Sequence, residues 1–270
     1  MLRKLMAMLL AGSAILLISL GLVLATGCHY GMAYPAGLAD RRVDPMAFDL
    51  GVRVERVAGR GGGLVWVFPG DGKSLLIVAH GNGETIDDWA GTAAQLAGEG
   101  IDVMLVEFPG YRGEPGRATP RSVKRAMVRA YDWAKGSGGY GDAKIYGLGS
   151  SIGAGSVGEL ARVRRMDGLV WLAPFTDLGD AARFHGLPGW LVGRALDNRS
   201  AAREAGCPIL VIHGAHDSVV PSTMGEELAE LADRGRILLV HSGHNDLMML
   251  HGERVLEEVL EMAGGRAEED

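Results

Sequence analysis

Gly149-Ser150-Ser151-Ile152-Gly153 fits the pattern G-x-S-x-G, in which the central serine sits on a sharp strand-to-helix turn with its hydroxyl exposed. Small residues on both sides let such a turn close without clashes. In this register Ser151 carries the exposed hydroxyl and Ser150 is the variable position. A serine hydroxyl is a weak nucleophile near neutral pH, so it needs a base within hydrogen-bond reach. Five residues alone fit an ordinary glycine-rich loop as well. The motif acquires meaning only from a strand before it, a helix after it and partners elsewhere.

The pattern of the chain predicts those elements. Residues 53–57 and 64–68 are rich in β-formers and read as an antiparallel hairpin. Short apolar runs at 74–79, 101–108, 143–149, 169–174, 209–214 and 236–242 read as further strands. Helices are predicted at 87–98, 122–135, 152–163, 222–232 and 251–262. In the second of these, Val123, Ala126, Met127, Ala130, Tyr131 and Ala134 recur at helical spacing. Nearly all-apolar strands alternating with helices imply a mostly parallel sheet covered on both faces. Ligands then bind beyond the carboxyl ends of the strands. "HGNG" after Ala79, "GSSIG" after Leu148, "HGAHD" after Ile212 and "HSGHND" after Val240 all fall there.

Composition narrows the class. The chain has 270 residues, 47% of them apolar and 22% charged, which suits one large α/β domain. A formal net charge of −6 with scattered basic residues argues against a nucleic-acid partner. Cys28 and Cys207 are the two cysteines, too few for a disulfide framework or a zinc site.

The amino terminus has a different character. Arg3 and Lys4 precede an uncharged apolar stretch over residues 5–25. It is long enough to span a bilayer, for which about 20 residues are needed, and its basic flank is that of an export signal. The positive-inside tendency places the remainder away from the cytoplasm, on the periplasmic or cell-surface side. Leu24-Ala25-Thr26-Gly27-Cys28 resembles a bacterial lipobox, with Ala25 where leucine is usual. A lipoprotein signal, a signal anchor and a cleaved signal peptide are the three readings of residues 1–28; the first two keep the protein on a membrane. Residues 29–50 then form a linker, 51–264 the globular domain and 265–270 a flexible tail.

Taken in order, HGNG, G-x-S-x-G, HGAHDSVVP and GHND resemble the alpha/beta-hydrolase superfamily, in its membrane-anchored serine-aminopeptidase-like or monoacylglycerol-lipase-like branch. The resemblance runs from the first hairpin to the last helix. It implies an eight-stranded, mostly parallel sheet flanked by helices, with residues 175–206 as a short cap. "FPGYRGEPGRATP" resembles the superfamily's loop after the fourth strand, with Glu114-Pro115 in place of an aromatic residue.

The resemblance implies a Ser-His-Asp triad. His244 is the candidate base, its late position matching the chain order Ser…Asp…His. Asp217 would bind the far nitrogen of that imidazole, fix its tautomer and stabilise the imidazolium. Asp177 is the alternative acid. Asp246 is expected to cap the following helix, and His213, His216 and His241 to be structural or supporting. The backbone N–H of Ile152 is one expected oxyanion donor. Asn82 supplies the second in the family register, with Gly83 its neighbouring alternative.

The expected activity is cleavage of carboxylic esters, with thioesters or amides also open, on small or acyl substrates and through an acyl-enzyme. No metal and no organic cofactor is called for. Phe175, Phe184, Leu187, Trp190 and Leu191 give the cap an apolar stripe that either covers an acyl pocket or packs on the sheet. The competing reading from another class is a membrane-anchored, non-catalytic scaffold that keeps the fold.

Overall fold

Alternation along the apolar strands sends successive side chains to opposite faces of one sheet. The computed structural model describes residues 42–59 and 62–264. The expected signal or anchor with Cys28 and the tail at 265–270 lie outside the described residues. The strands are β1 (Arg53–Arg56), β2 (Leu64–Phe68), β3 (Ser74–Ala79), β4 (Asp102–Val106), β5 (Lys144–Ser150), β6 (Gly168–Leu172), β7 (Ile209–Gly214) and β8 (Gly235–Val240). They form one eight-stranded sheet in the order β1-β2-β4-β3-β5-β6-β7-β8. β1 with β2 and β2 with β4 are antiparallel, and every other pairing is parallel.

The helices are α1 (Ile86–Gly98), α2 (Pro120–Lys135), α3 (Ile152–Ala161), α4 (Leu178–Phe184), α5 (Asn198–Glu204), α6 (Ser222–Leu231) and α7 (Leu247–Ala263). One core joins Leu75, Ile77 and Ala79 of β3 to α2, α3 and α6. A second joins Leu76 and Val78 of the same strand to α1 and α7 on the opposite face. Each fully buried Leu, Ile, Val or Met side chain contributes roughly 1.5–3 kcal/mol through removal from water.

This division positions the site. The chain leaves β3 for α1 on one face, whereas it leaves the adjacent β5 for α3 on the other. The two exits part, and a crevice opens at the carboxyl ends of β3 and β5, where ligands bind in such sheets.

Helix starts differ from expectation for local reasons. α2 begins at Pro120 because proline suits a first helical turn and Thr119 Oγ1 accepts from the Ser122 N–H at 3.1 Å. α7 begins a turn early, at Leu247, and kinks at His251 (φ −132°, ψ 21°). The expected linker also ends sooner. Pro45–Phe48 form a 3-10 turn capped by Asp44, the Val43 N–H donates to Asp87, and Phe48 packs edge-on against Phe68. Within residues 175–206, expected as a cap, α4, a 3-10 turn at Gly189–Leu191 and α5 follow one another. No helix among the described residues is long and apolar enough to cross a membrane.

Candidate active site

The glycines of the opening motif are explained by contacts rather than by loop freedom. A Cβ on Gly149 would lie 2.3 Å from the Gly153 carbonyl oxygen, and a Cβ on Gly153 would lie 2.0 Å from that of Ala79. Only hydrogen fits at both places, so α3 seats its first turn directly on β5 and β3. Ser151, between them, adopts φ 51° and ψ −108°. This conformation is unfavourable for a residue with a side chain by about 1–3 kcal/mol. The neighbouring strand helps to hold it, through a 2.8 Å hydrogen bond from the Ser151 N–H to the Leu172 carbonyl.

Three side chains meet above the crevice. His244 Nε2 is 3.1 Å from Ser151 Oγ, and His244 Nδ1 is 2.7 Å from Asp217 Oδ2. Asp217 Oδ1 accepts from the N–H groups of Val219 and Val220 at 2.8 and 2.7 Å. Its Oδ2 also lies 3.2 Å from His213 Nε2. Because Asp217 accepts at Nδ1, the His244 proton resides there and the Nε2 lone pair faces the Ser151 hydroxyl. Burial by itself would raise the Asp217 carboxyl. The hydrogen bonds from His213, His244 and Val220 outweigh it and hold the group well below the usual carboxylate range.

His213 therefore does more than pack. It is wholly buried, and its Nε2 donates toward both the Val220 carbonyl, at 3.0 Å, and Asp217. It bridges the loop that carries Asp217 to the carboxylate itself.

The loop after β3 has an anchor that the motif reading missed. His80 is buried, with Nδ1 on the Gly81 carbonyl at 3.0 Å and Nε2 on Glu107 Oε1 at 2.9 Å. The Phe108 N–H donates to the same carboxylate oxygen at 2.9 Å. Burial opposes a charge on His80, but the hydrogen bond and charge of Glu107 prevail and raise its pKa. Glu107 follows the fourth strand, at the same sheet edge as the other polar loops, and that placement was its available signal. Asn82, two residues beyond His80, lines the same cavity as Ser151 and Ile152, the first residue of α3.

No protein-family model matches the chain. The uncharacterized protein Rv2307c of Mycobacterium tuberculosis is 34% identical over 207 residues, which cover 72% of this chain and 72% of that protein. Lysophosphatidylserine lipase ABHD12 of Danio rerio is 28% identical over 192 residues, covering 62% of this chain but only 49% of the lipase. Among solved structures, an esterase of Pyrococcus furiosus matches with a TM-score of 0.69 at 18% identity, over 85% of this chain and 97% of that one. A monoacylglycerol lipase of Paleococcus ferrophilus matches with a TM-score of 0.60 at 18% identity, over 75% and 98%. The chain belongs to the same family as Rv2307c, and its fold is the alpha/beta-hydrolase fold.

Within this alpha/beta-hydrolase fold, Asp177 stands apart from His244. It caps α4 by accepting from the Asp180 N–H at 2.8 Å, and it pairs with Arg199 and Arg194 at 3.3 and 3.6 Å. Asp246 occupies the cap position of α7 without a capping hydrogen bond to that helix. Its Oδ1 instead accepts from the Gly243 N–H at 2.7 Å, steadying the turn that carries His244. His216 and His241 contact each other at 3.1 Å on the surface.

Two cavities meet at Ser151. One, of about 260 Å³, is walled mainly by apolar side chains, among them Phe175, Leu178, Leu187, Val192 and Val220. The other, of about 340 Å³, is more polar and includes Glu84, Ser150, His244 and Asn245. Ser151, Asn82 and Val219 border both, whereas Gly83 borders only the polar one. The cap stripe divides accordingly. Phe175 is buried and Leu187 lines the apolar cavity, while Phe184 and Trp190 are exposed.

Proposed function

We propose that this alpha/beta-hydrolase is a serine esterase that cleaves carboxylic esters of small or acyl substrates through an acyl-enzyme. The observation that carries the reading is the continuous chain Asp217–His244–Ser151 at 2.7 and 3.1 Å, with the serine on a strained turn. Ser151 Oγ attacks the ester carbonyl as its proton passes to His244 Nε2. The oxygen of the tetrahedral intermediate takes hydrogen bonds from the backbone N–H groups of Ile152 and Asn82, each worth about 3 kcal/mol in the transition state. Collapse expels the alcohol, which receives the proton from His244. Water, deprotonated by the same imidazole, then attacks the acyl-enzyme; acid is released and Ser151 regains its proton. Asp217 stabilises the imidazolium throughout. Side chains, backbone and water suffice for every step.

Esterase and lipase names among similar proteins support the ester class, and the apolar cavity beside Ser151 supports an acyl group. The test is fluorophosphonate labelling with peptide mapping, together with turnover of p-nitrophenyl butyrate. An adduct on Ser151 with turnover is expected; absence of both would leave the scaffold reading.

We also propose that the domain is tethered to a membrane on its extracytoplasmic side. Support comes from Arg3, Lys4, the apolar residues 5–25 and Cys28. The protein should sediment with membranes, and external protease should reach the domain in spheroplasts. A lipoprotein loses residues 1–27 and its tether in Cys28→Ala, whereas a signal anchor keeps both. Full-length protein in the soluble cytosol would overturn the proposal.

A further inference from the structure

We infer that the site selects esters whose alcohol half is polar and carries no negative charge, and that Glu84 sets this preference. The inference rests on the esterase reading above and concerns which way round the substrate lies. The leaving oxygen must take its proton from His244, so the alcohol occupies the cavity that His244 borders. That cavity is the polar one. The acyl chain is left with the apolar cavity, which His244 does not border.

The alcohol cavity carries an acidic side chain and no basic one other than the imidazole. Glu84 forms part of its wall, and among the described residues no lysine or arginine lines either cavity. The Glu84 carboxylate is held in place. Oε2 accepts from the Gly81 N–H at 2.5 Å and from Nε1 of the buried Trp89 at 2.9 Å, while Oε1 takes no donor among the described residues. It lines the same cavity as Ser151 and His244 and lies next to Ser150. Glu84 Oε2 and Ser150 Oγ flank the same point beside Gly81, at 2.9 and 3.2 Å from where a Cβ would sit. Arg183, Arg194 and Arg199 of residues 175–206 pair with Asp177 and Asp180, and Arg203 lines neither cavity. A phosphate on the alcohol would enter beside a fixed carboxylate, a like-charge juxtaposition that costs affinity. Hydroxyl groups would meet acceptors and donors on Glu84, Ser150 and Asn245.

The test compares monodecanoylglycerol with decanoyl lysophosphatidate, which share the acyl chain and ester and differ by one phosphate, both below their micellar concentrations. The expected kcat/KM favours the neutral ester by roughly tenfold or more at low salt, and the ratio narrows as ionic strength rises. Glu84→Gln, which keeps an oxygen acceptor for Gly81 and Trp89, should reduce the ratio about tenfold. Faster turnover of the anionic ester, or a preference indifferent to both salt and Glu84→Gln, would overturn the inference. Should Glu84→Gln fail to fold, the salt dependence of the wild-type ratio decides alone. Turnover of neither ester, with Ser151 still labelled by fluorophosphonate, would overturn the inference and leave the esterase reading intact. Loss of that labelling would strike the reading itself.

Discussion

His80 and Glu107 meet at 2.9 Å with both side chains shut off from water. Glu107 raises the folded-state pKa of His80 against the effect of burial, so the folded protein keeps this proton to higher pH than the unfolded chain does. The stabilisation is complete below about pH 6.5, the unfolded value, and is lost as pH rises through the raised value. Urea unfolding over a pH series should show this decline. Glu107→Gln should flatten it and cost about 3–5 kcal/mol below that window, as expected when one partner of a buried pair is removed.

Ser150 and Ser151 are adjacent hydroxyls, but only Ser151 Oγ is bonded to His244. Ser151→Ala should abolish fluorophosphonate labelling and lower kcat by about 10⁶. Ser150→Ala should keep the adduct. An adduct on Ser150 in the wild-type protein would contradict the assignment.

Asp217→Asn should lower kcat about 10⁴-fold, because an amide no longer holds the productive tautomer of His244. The fold should persist, with circular dichroism as the check. Asp177→Asn serves as contrast. It should retain turnover and lose up to about 1 kcal/mol of stability through weaker pairing with Arg199 and Arg194, because asparagine still caps α4. Reversed outcomes would exchange the roles of the two acids.

Cys207 is buried, and burial pushes its thiol pKa up to about 11. In a Cys28→Ala background the native protein should resist iodoacetamide at neutral pH and become labelled once unfolded, as thiolate formation and access control the reaction. Rapid labelling of the native state would place the thiol at the surface.

The sheet was legible because burial on both faces leaves its strands as short, nearly all-apolar runs. Ser151, Asp217 and His244 were legible as well, each in a polar loop directly after such a run. What local pattern could not reveal were couplings between loops. Nothing near His80 specifies that its partner is Glu107, since the two are joined only when β3 and β4 align. His213 stands only four residues before Asp217, and its contact with that carboxylate depends on how their shared loop turns back. Asp246 misled for a related reason: its position is that of a helix cap, but a preceding N–H competes successfully for its oxygen. The early start of α7 was hidden because Met249 and Leu250 are apolar yet exposed, which blurs the helical period.

Gly153 links two segments far apart in the sequence, since its Cα hydrogen faces the carbonyl oxygens of Ala79 and His80. The N–H groups of Ile152 and Asn82, one on each segment, are thereby set at a distance gauged by main chain against main chain. Side-chain rotation cannot alter that distance, and neither can replacement of the Ile152 or Asn82 side chains. On the Gly153 side it changes only if α3 separates from the sheet, which is itself the onset of unfolding. Catalytic competence should therefore not fade gradually on warming, but end abruptly, together with the cooperative structure.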